Sequence, residues 1–198
     1  MKKTSVILAF FFTCLLIGIT AGADPEPVLD TSGKKVRPGI KYYILPASIG
    51  SGGLTLINPD NTCPLYVVQE KSLYSGKPVT FSSYGSKDEI LTSTDLNVTS
   101  IVKQATTSCN KTLQWSLRKA VPGVWFAVAG DEFSEVTVST VHIDKFGTEG
   151  YVLSFCSDLC PTCPIVCNKL GLYEAEDGYK HLAQNYQIQP YPFKFKRA

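Results

Sequence analysis

The sequence predicts an all-β fold, and three observations carry that expectation. Fifteen glycines and twelve prolines are spread over 198 residues with no Gly-x-y period, which supplies many turns and excludes collagen, coiled coil and helical bundle. Short runs rich in β-branched and aromatic residues recur between those turns. No helix of usual length fits among those runs and turns. With 44% apolar, 11% aromatic and 18% charged residues, the composition suits one folded domain and excludes disorder.

The first element in chain order stands outside the fold. Lys2 and Lys3 precede the apolar run Val6 to Ile19, which leads to Ala21-Gly22-Ala23. That is the pattern of a secretory signal peptide over residues 1–23, cleaved after Ala23, with the folded domain expected over 24–198. The run is too short for a spanning helix, which needs about twenty residues.

The strands follow. Runs at Lys41 to Leu45, Leu54 to Ile57, Leu65 to Gln69, Val79 to Ser82, Leu96 to Val102, Leu113 to Leu117, Val124 to Ala129, Glu135 to Ile143, Tyr151 to Phe155, Gly171 to Tyr173 and Phe193 to Phe195 predict a meander of about a dozen strands. Gly50-Ser51-Gly52-Gly53, Asn58-Pro59-Asp60, Pro122-Gly123 and Asp177-Gly178 supply the turns. Alternation from Glu135 to Ile143 sends Val136 and Val138 to the core, then Val141 and Ile143 after a slip, so that His142 faces outward as a surface residue. Trp115 and Trp125 lie in apolar strands and read as core rather than as a ligand platform.

Removing the signal leaves seventeen cationic and seventeen anionic side chains, and so no electrostatic footprint for nucleic acid or an anionic membrane. It also removes Cys14, leaving six cysteines: Cys63, Cys109, Cys156, Cys160, Cys163 and Cys167. An even set in an exported chain predicts disulfides, although six cysteines allow fifteen pairings. The dense Cys156-x3-Cys160-x2-Cys163-x3-Cys167 cluster has the ligand types of a zinc or dithiol site, but an oxidising compartment favours a disulfide clasp. No metal or cofactor is expected. The acidic turn Glu174 to Gly178 reads as solvated hairpin rather than a cation site.

Catalytic residues are not expected either: only His142 and His181 are available as neutral-pH bases, and no G-x-S-x-G or H-E-x-x-H occurs. Two sequons place candidate glycans at Asn97 and Asn110.

Pro27-Val28-Leu29-Asp30-Thr31-Ser32-Gly33, with Lys41-Tyr42-Tyr43-Ile44-Leu45-Pro46 beyond it, resembles the N-terminal signature of the soybean-type Kunitz protease inhibitors of plants, in their miraculin-like branch. Gly52-Gly53-Leu54-Thr55-Leu56, Cys63-Pro64-Leu65, Gly76-x-Pro78-Val79, Ser93-Thr94-Asp95-Leu96-Asn97-Val98 and Pro192-Phe193-Lys194-Phe195 resemble later family segments in the same order. The resemblance implies a β-trefoil of twelve strands with pseudo-three-fold symmetry, reinforced by the bridges Cys63–Cys109, Cys156–Cys167 and Cys160–Cys163. It further implies a secreted or vacuolar inhibitor that inserts one exposed loop into an endopeptidase, most readily a trypsin-like serine protease.

By that resemblance the inhibitory loop runs from Ser83 to Ile90, with Ser86, Lys87 and Asp88 at the reactive bond and Lys87 filling the specificity pocket. A pre-organised loop avoids most of the ordering cost of association, so an interface of about 1,600 Å² can bind tightly. Three features run against trypsin. Asp88 and Glu89 follow Lys87 directly, Gly85 softens the loop, and Pro38 stands where inhibitory relatives carry a loop-supporting Asn. Inhibition of a cysteine or aspartic protease, or a non-inhibitory defence or storage role, stands as the alternative.

Overall fold

The computed structural model describes residues 24–59, 62–102, 109, 113–130, 140–157 and 166–198. Among them thirteen strands form: β1 (Lys41–Pro46), β2 (Leu54–Ile57), β3 (Leu65–Gln69), β4 (Val79–Ser83), β5 (Leu96–Ser100), β6 (Trp115–Val121), β7 (Val124–Ala129), β8 (Thr140–Phe146), β9 (Gly150–Ser157), β10 (Val166–Lys169), β11 (Gly171–Glu174), β12 (Lys180–Gln184) and β13 (Phe193–Arg197). Every ladder between named strands is antiparallel.

Six of these strands close a ring in the order β1, β4, β5, β8, β9, β13 and back to β1. Closure leaves the barrel no unpaired edge. Six more form the hairpins β2–β3, β6–β7 and β11–β12, and their strands β3, β7 and β12 pair with one another to cap the barrel. Each third of the chain thus supplies two barrel strands and one cap hairpin, which is a β-trefoil. The register shows the symmetry: Tyr66 stands opposite Val128, Phe126 opposite Ala183 and His181 opposite Val68, so each residue faces the position two beyond its counterpart in the next hairpin.

Alternation in the barrel strands turns one face inward. Ile44, Phe81, Val98, Ile143, Leu153, Phe155 and Phe195 are buried in one apolar cluster, with the Phe81 and Phe195 rings edge to face at 5.4 Å. Edge-to-face rings satisfy the aromatic quadrupole while filling space. A second, smaller cluster of Val124, Phe126 and Ala183, with Tyr66, Tyr173 and Ile188 against it, lies on the cap. Gly76 joins the loops at the barrel rim. It adopts φ +80°, and a Cβ there would come within 2.0 Å of the Leu54 carbonyl oxygen, so only glycine fits.

Several expectations change here. β10 is a thirteenth strand, beyond the twelve of the trefoil; its residues are all exposed and it pairs only with β9, to which Cys167 is bridged through Cys156. β12 escaped sequence reading because Lys180-His181-Leu182-Ala183-Gln184 has no β-branched residue. β6 runs on to Val121 and β8 to Phe146, while β5 stops at Ser100, short of Val102. Val141 and Ile143 are buried as expected, and Val136 and Val138 lie outside the described residues.

His142 faces away from buried Val141 and Ile143, as expected, but it is not freely solvated. Its side chain is only 14% exposed, because the ring is held between Asp95, 2.8 Å from Nε2, and the Cys167 sulfur, 3.6 Å from Nδ1. Trp115 is core and donates its indole N–H to Ser100 Oγ at 2.7 Å, and Trp125 packs half-buried against the core.

The bridges Cys63–Cys109 and Cys156–Cys167 are formed. Although His142, Cys156 and Cys167 come within ligand distance of one another, two sulfurs bonded together offer no thiolates to a metal. Cys160, Cys163, Asn110 and the signal segment 1–23 lie outside the described residues.

Candidate functional site

The β4–β5 connection leaves the barrel after Ser83 and returns through Ile90. Its start is shaped by Ser83, whose Oγ accepts the N–H groups of Gly85 (3.2 Å) and Ser86 (3.3 Å). Such hydroxyl turns hold a chain without a ladder. Ser86 Oγ in turn accepts the Glu89 N–H at 3.3 Å. Gly85 has open space around it, and these bonds restrain the chain on both sides of it.

The return leg is fixed by the N-terminal segment. Ile90 is fully buried, its N–H donates to the Val36 carbonyl and its own carbonyl accepts from Val28 N–H, both at 2.9 Å. Val28 and Val36 are themselves fully buried, and Pro27 bridges Leu91 just beyond. Lys35 Nζ lies 2.6 Å from Glu89 Oε2. Behind the loop, Asn97 Nδ2 donates to the Tyr84 hydroxyl and Asn97 Oδ1 accepts from Gln114 Nε2, each at 2.9 Å.

Between these anchors Lys87 and Asp88 are exposed, Ser86 is half-buried, and among the described residues Lys87 has no ion-pair partner. The three reactive-bond residues expected from the sequence therefore share one exposed apex. Pro38 lies in a neighbouring turn, where Gly39 N–H donates to Phe81 O at 2.9 Å, and its side chain has no hydrogen-bonding group to offer the loop. Support comes instead from Val28, Lys35, Val36 and Ile90, which sequence reasoning missed. The signal was the apolar pair Ile90-Leu91 directly after two acids, with apolar Val28 and Val36 spaced along the N-terminal segment.

The acidic turn Glu174 to Gly178 joins β11 to β12, as expected of a hairpin. Asp177 is nevertheless engaged: Oδ1 accepts the Tyr179 N–H at 2.9 Å and Oδ2 lies 2.8 Å from His181 Nε2. Burial works against its ionisation, but the Tyr179 amide, His181 and the Lys71 ammonium outweigh that and hold the carboxyl below its ordinary value.

Together these features define a disulfide-reinforced β-trefoil that displays one tethered, exposed loop. The chain belongs to the legume Kunitz family of trypsin and protease inhibitors, whose family model matches residues 28–197. It is 34% identical over 206 residues to a 21 kDa seed protein of Theobroma cacao, covering 98% of this chain and 91% of that one. It is also 34% identical over 207 residues to Kunitz trypsin inhibitor 5 of Arabidopsis thaliana (98% and 99% covered) and 32% over 218 residues to miraculin of Synsepalum dulcificum (100% and 98%). Among solved structures, a Kunitz type trypsin inhibitor from Cicer arietinum superposes with a TM-score of 0.74 at 30% identity, covering 87% of this chain and 99% of that one.

Proposed function

We propose that this chain inhibits a trypsin-like serine protease by presenting the Ser83 to Ile90 loop to the active site, with Lys87 in the specificity pocket and Lys87–Asp88 as the reactive bond. The observation that carries the reading is Lys87 exposed at the apex of a loop whose return leg is locked by two backbone bonds of a buried Ile90. A loop already held in shape loses little entropy on docking, and an unpartnered ammonium is free to meet a buried carboxylate. The Lys35–Glu89 pair removes one of the two acidic obstacles, leaving Asp88 as the exposed one. Resemblance to Kunitz trypsin inhibitor 5 supports the same target class.

The protein acts in this reading as a ligand of an enzyme and carries no catalytic residue of its own. Cleavage after Ala23 and delivery through the secretory route to the cell exterior or vacuole complete it, in keeping with the disulfides. Of the two candidate glycan sites, Asn97 has its amide engaged by Tyr84, so a glycan there would compete with loop support.

Titration of trypsin with the oxidised protein, run beside Lys87→Ala, tests the proposal. Stoichiometric loss of activity is expected, weakened about 100-fold or more in the variant, as for a charge filling a desolvated pocket. Absence of inhibition by either protein at micromolar concentration rejects the trypsin reading and turns attention to cysteine and aspartic proteases.

A further inference from the structure

The pseudo-three-fold register brings one ring from each cap hairpin to a common centre. Tyr66, Phe126 and His181 occupy equivalent positions, with ring centroids 6.2 Å (Tyr66 to Phe126), 5.4 Å (Tyr66 to His181) and 4.2 Å (Phe126 to His181) apart. Packing alone accounts for three benzene-type rings there. Two positions follow that rule, and the third is a histidine only 2% exposed. Its Nε2 is committed to Asp177, whose carboxylate is an acceptor only, so Nε2 donates; Nδ1 then has no hydrogen-bond partner. An unfilled polar atom behind an aromatic wall departs from what symmetry and burial favour.

These rings form the wall of a cleft of about 550 Å³, within the size range of small-molecule sites. Arg118 stands directly opposite Phe126 across the β6–β7 ladder, and Tyr173 directly opposite His181 across β11–β12. Directly opposed residues leave a sheet on the same face, so a cation and a further ring flank the central three. Lys119 borders the cleft as well, but it stands opposite Trp125 and so leaves the ladder on the other face. Among the described residues neither Arg118 nor Lys119 makes an ion pair. On the other side, both Asp177 oxygens are occupied, leaving Glu176 as the one lining carboxylate without a protein partner. Charge in the cleft is therefore divided, with cationic Arg118 on one side of the aromatic surface and the carboxylates of Glu176 and Asp177 on the other.

We propose that this cap cleft is a binding site for a small aromatic carboxylate, separate from the β4–β5 loop and independent of the inhibitory reading. The ligand ring lies against Tyr66, Phe126 and Tyr173, its carboxylate meets Arg118, and a polar substituent at the far end lies toward the His181–Asp177 pair. Ring stacking and a charged anchor at opposite ends fix one orientation.

The test uses the full oxidised protein and 4-hydroxycinnamate as probe, followed by calorimetry and by NMR of the aromatic side chains. Saturable 1:1 binding is expected, with shifts of the Phe126, Tyr173 and His181 ring resonances. Two comparisons separate its parts: 4-hydroxycinnamyl alcohol, which keeps ring and phenol but lacks the charge, and the variant Arg118→Gln, whose exposed position leaves the fold intact. Each is expected to bind about tenfold more weakly, the effect of one lost charged anchor. No saturable shift at millimolar probe overturns the site, and so do shifts confined to residues outside the cleft. Equal binding of acid and alcohol, or unaffected binding by Arg118→Gln, overturns the anion assignment.

Discussion

At the residue scale, Lys87 is defined by what its neighbours do with their charges. Glu89 is drawn aside by Lys35, 2.6 Å away, so the loop presents Lys87 with a single exposed acid beside it. Lys35→Ala frees the Glu89 carboxylate next to the reactive bond. Because the Lys35 side chain is 56% exposed, the ion pair contributes little stability, within about 1 kcal/mol. The expected outcome is a denaturation midpoint near that of the parent with a clearly weakened inhibition constant, measured on the same preparations. Asp177 gives a pH-dependent expectation. Its folded carboxyl titrates below the unfolded value, which is about 3.9, so its contribution is complete above that value and is lost as pH falls through the lowered folded one. Asp177→Asn is therefore less stable than the parent at neutral pH, and the two converge in acid; urea denaturation from neutral to acidic pH checks the sign.

At the element scale, the β4–β5 loop is held from its return leg. Ile90 is fully buried against a core that includes Val28 and Val36, and truncating such a side chain costs about 2–5 kcal/mol. Ile90→Ala is expected to lower stability by that amount and to loosen the loop, with faster amide exchange at Ile90 and weaker inhibition under conditions where the variant remains folded. Exchange unchanged at Ile90 would show that the anchor lies elsewhere. The elements also differ in how far the sequence announced them. β1, β2, β3, β4 and β7 carry β-branched and aromatic residues between clear turn signals, and they form where those signals put them. β12 was silent because its burial comes from its place between β3 and β7, a tertiary fact that local composition does not carry. β10 was silent for the opposite reason: wholly exposed, it is a strand through its ladder to β9 and its bridge to Cys156. In the site, the apex Ser86-Lys87-Asp88 was legible from family spacing. Its support was not, since Val36 and Ile90 meet only once the N-terminal segment is laid along the barrel.

At the scale of the whole molecule, barrel closure and the disulfides do different work. The barrel closes when β13 enters between β1 and β9, which joins the last strand to the first. The Cys63–Cys109 bridge closes a segment with a sequence separation of 46 that contains the entire β4–β5 loop. A cut at Lys87 therefore leaves both new ends covalently attached, while the barrel keeps them in place. Under the proposed inhibition, that arrangement accounts for fast re-closure and slow release, so that a protease would be held instead of turning the protein over. The most direct measurement is mass spectrometry of the oxidised protein after prolonged incubation with a trace of trypsin. The account predicts a single cleavage at Lys87–Asp88, with two fragments that separate only after the disulfides are reduced. Cleavage at other sites with Lys87–Asp88 intact, or progressive digestion to peptides, would contradict it.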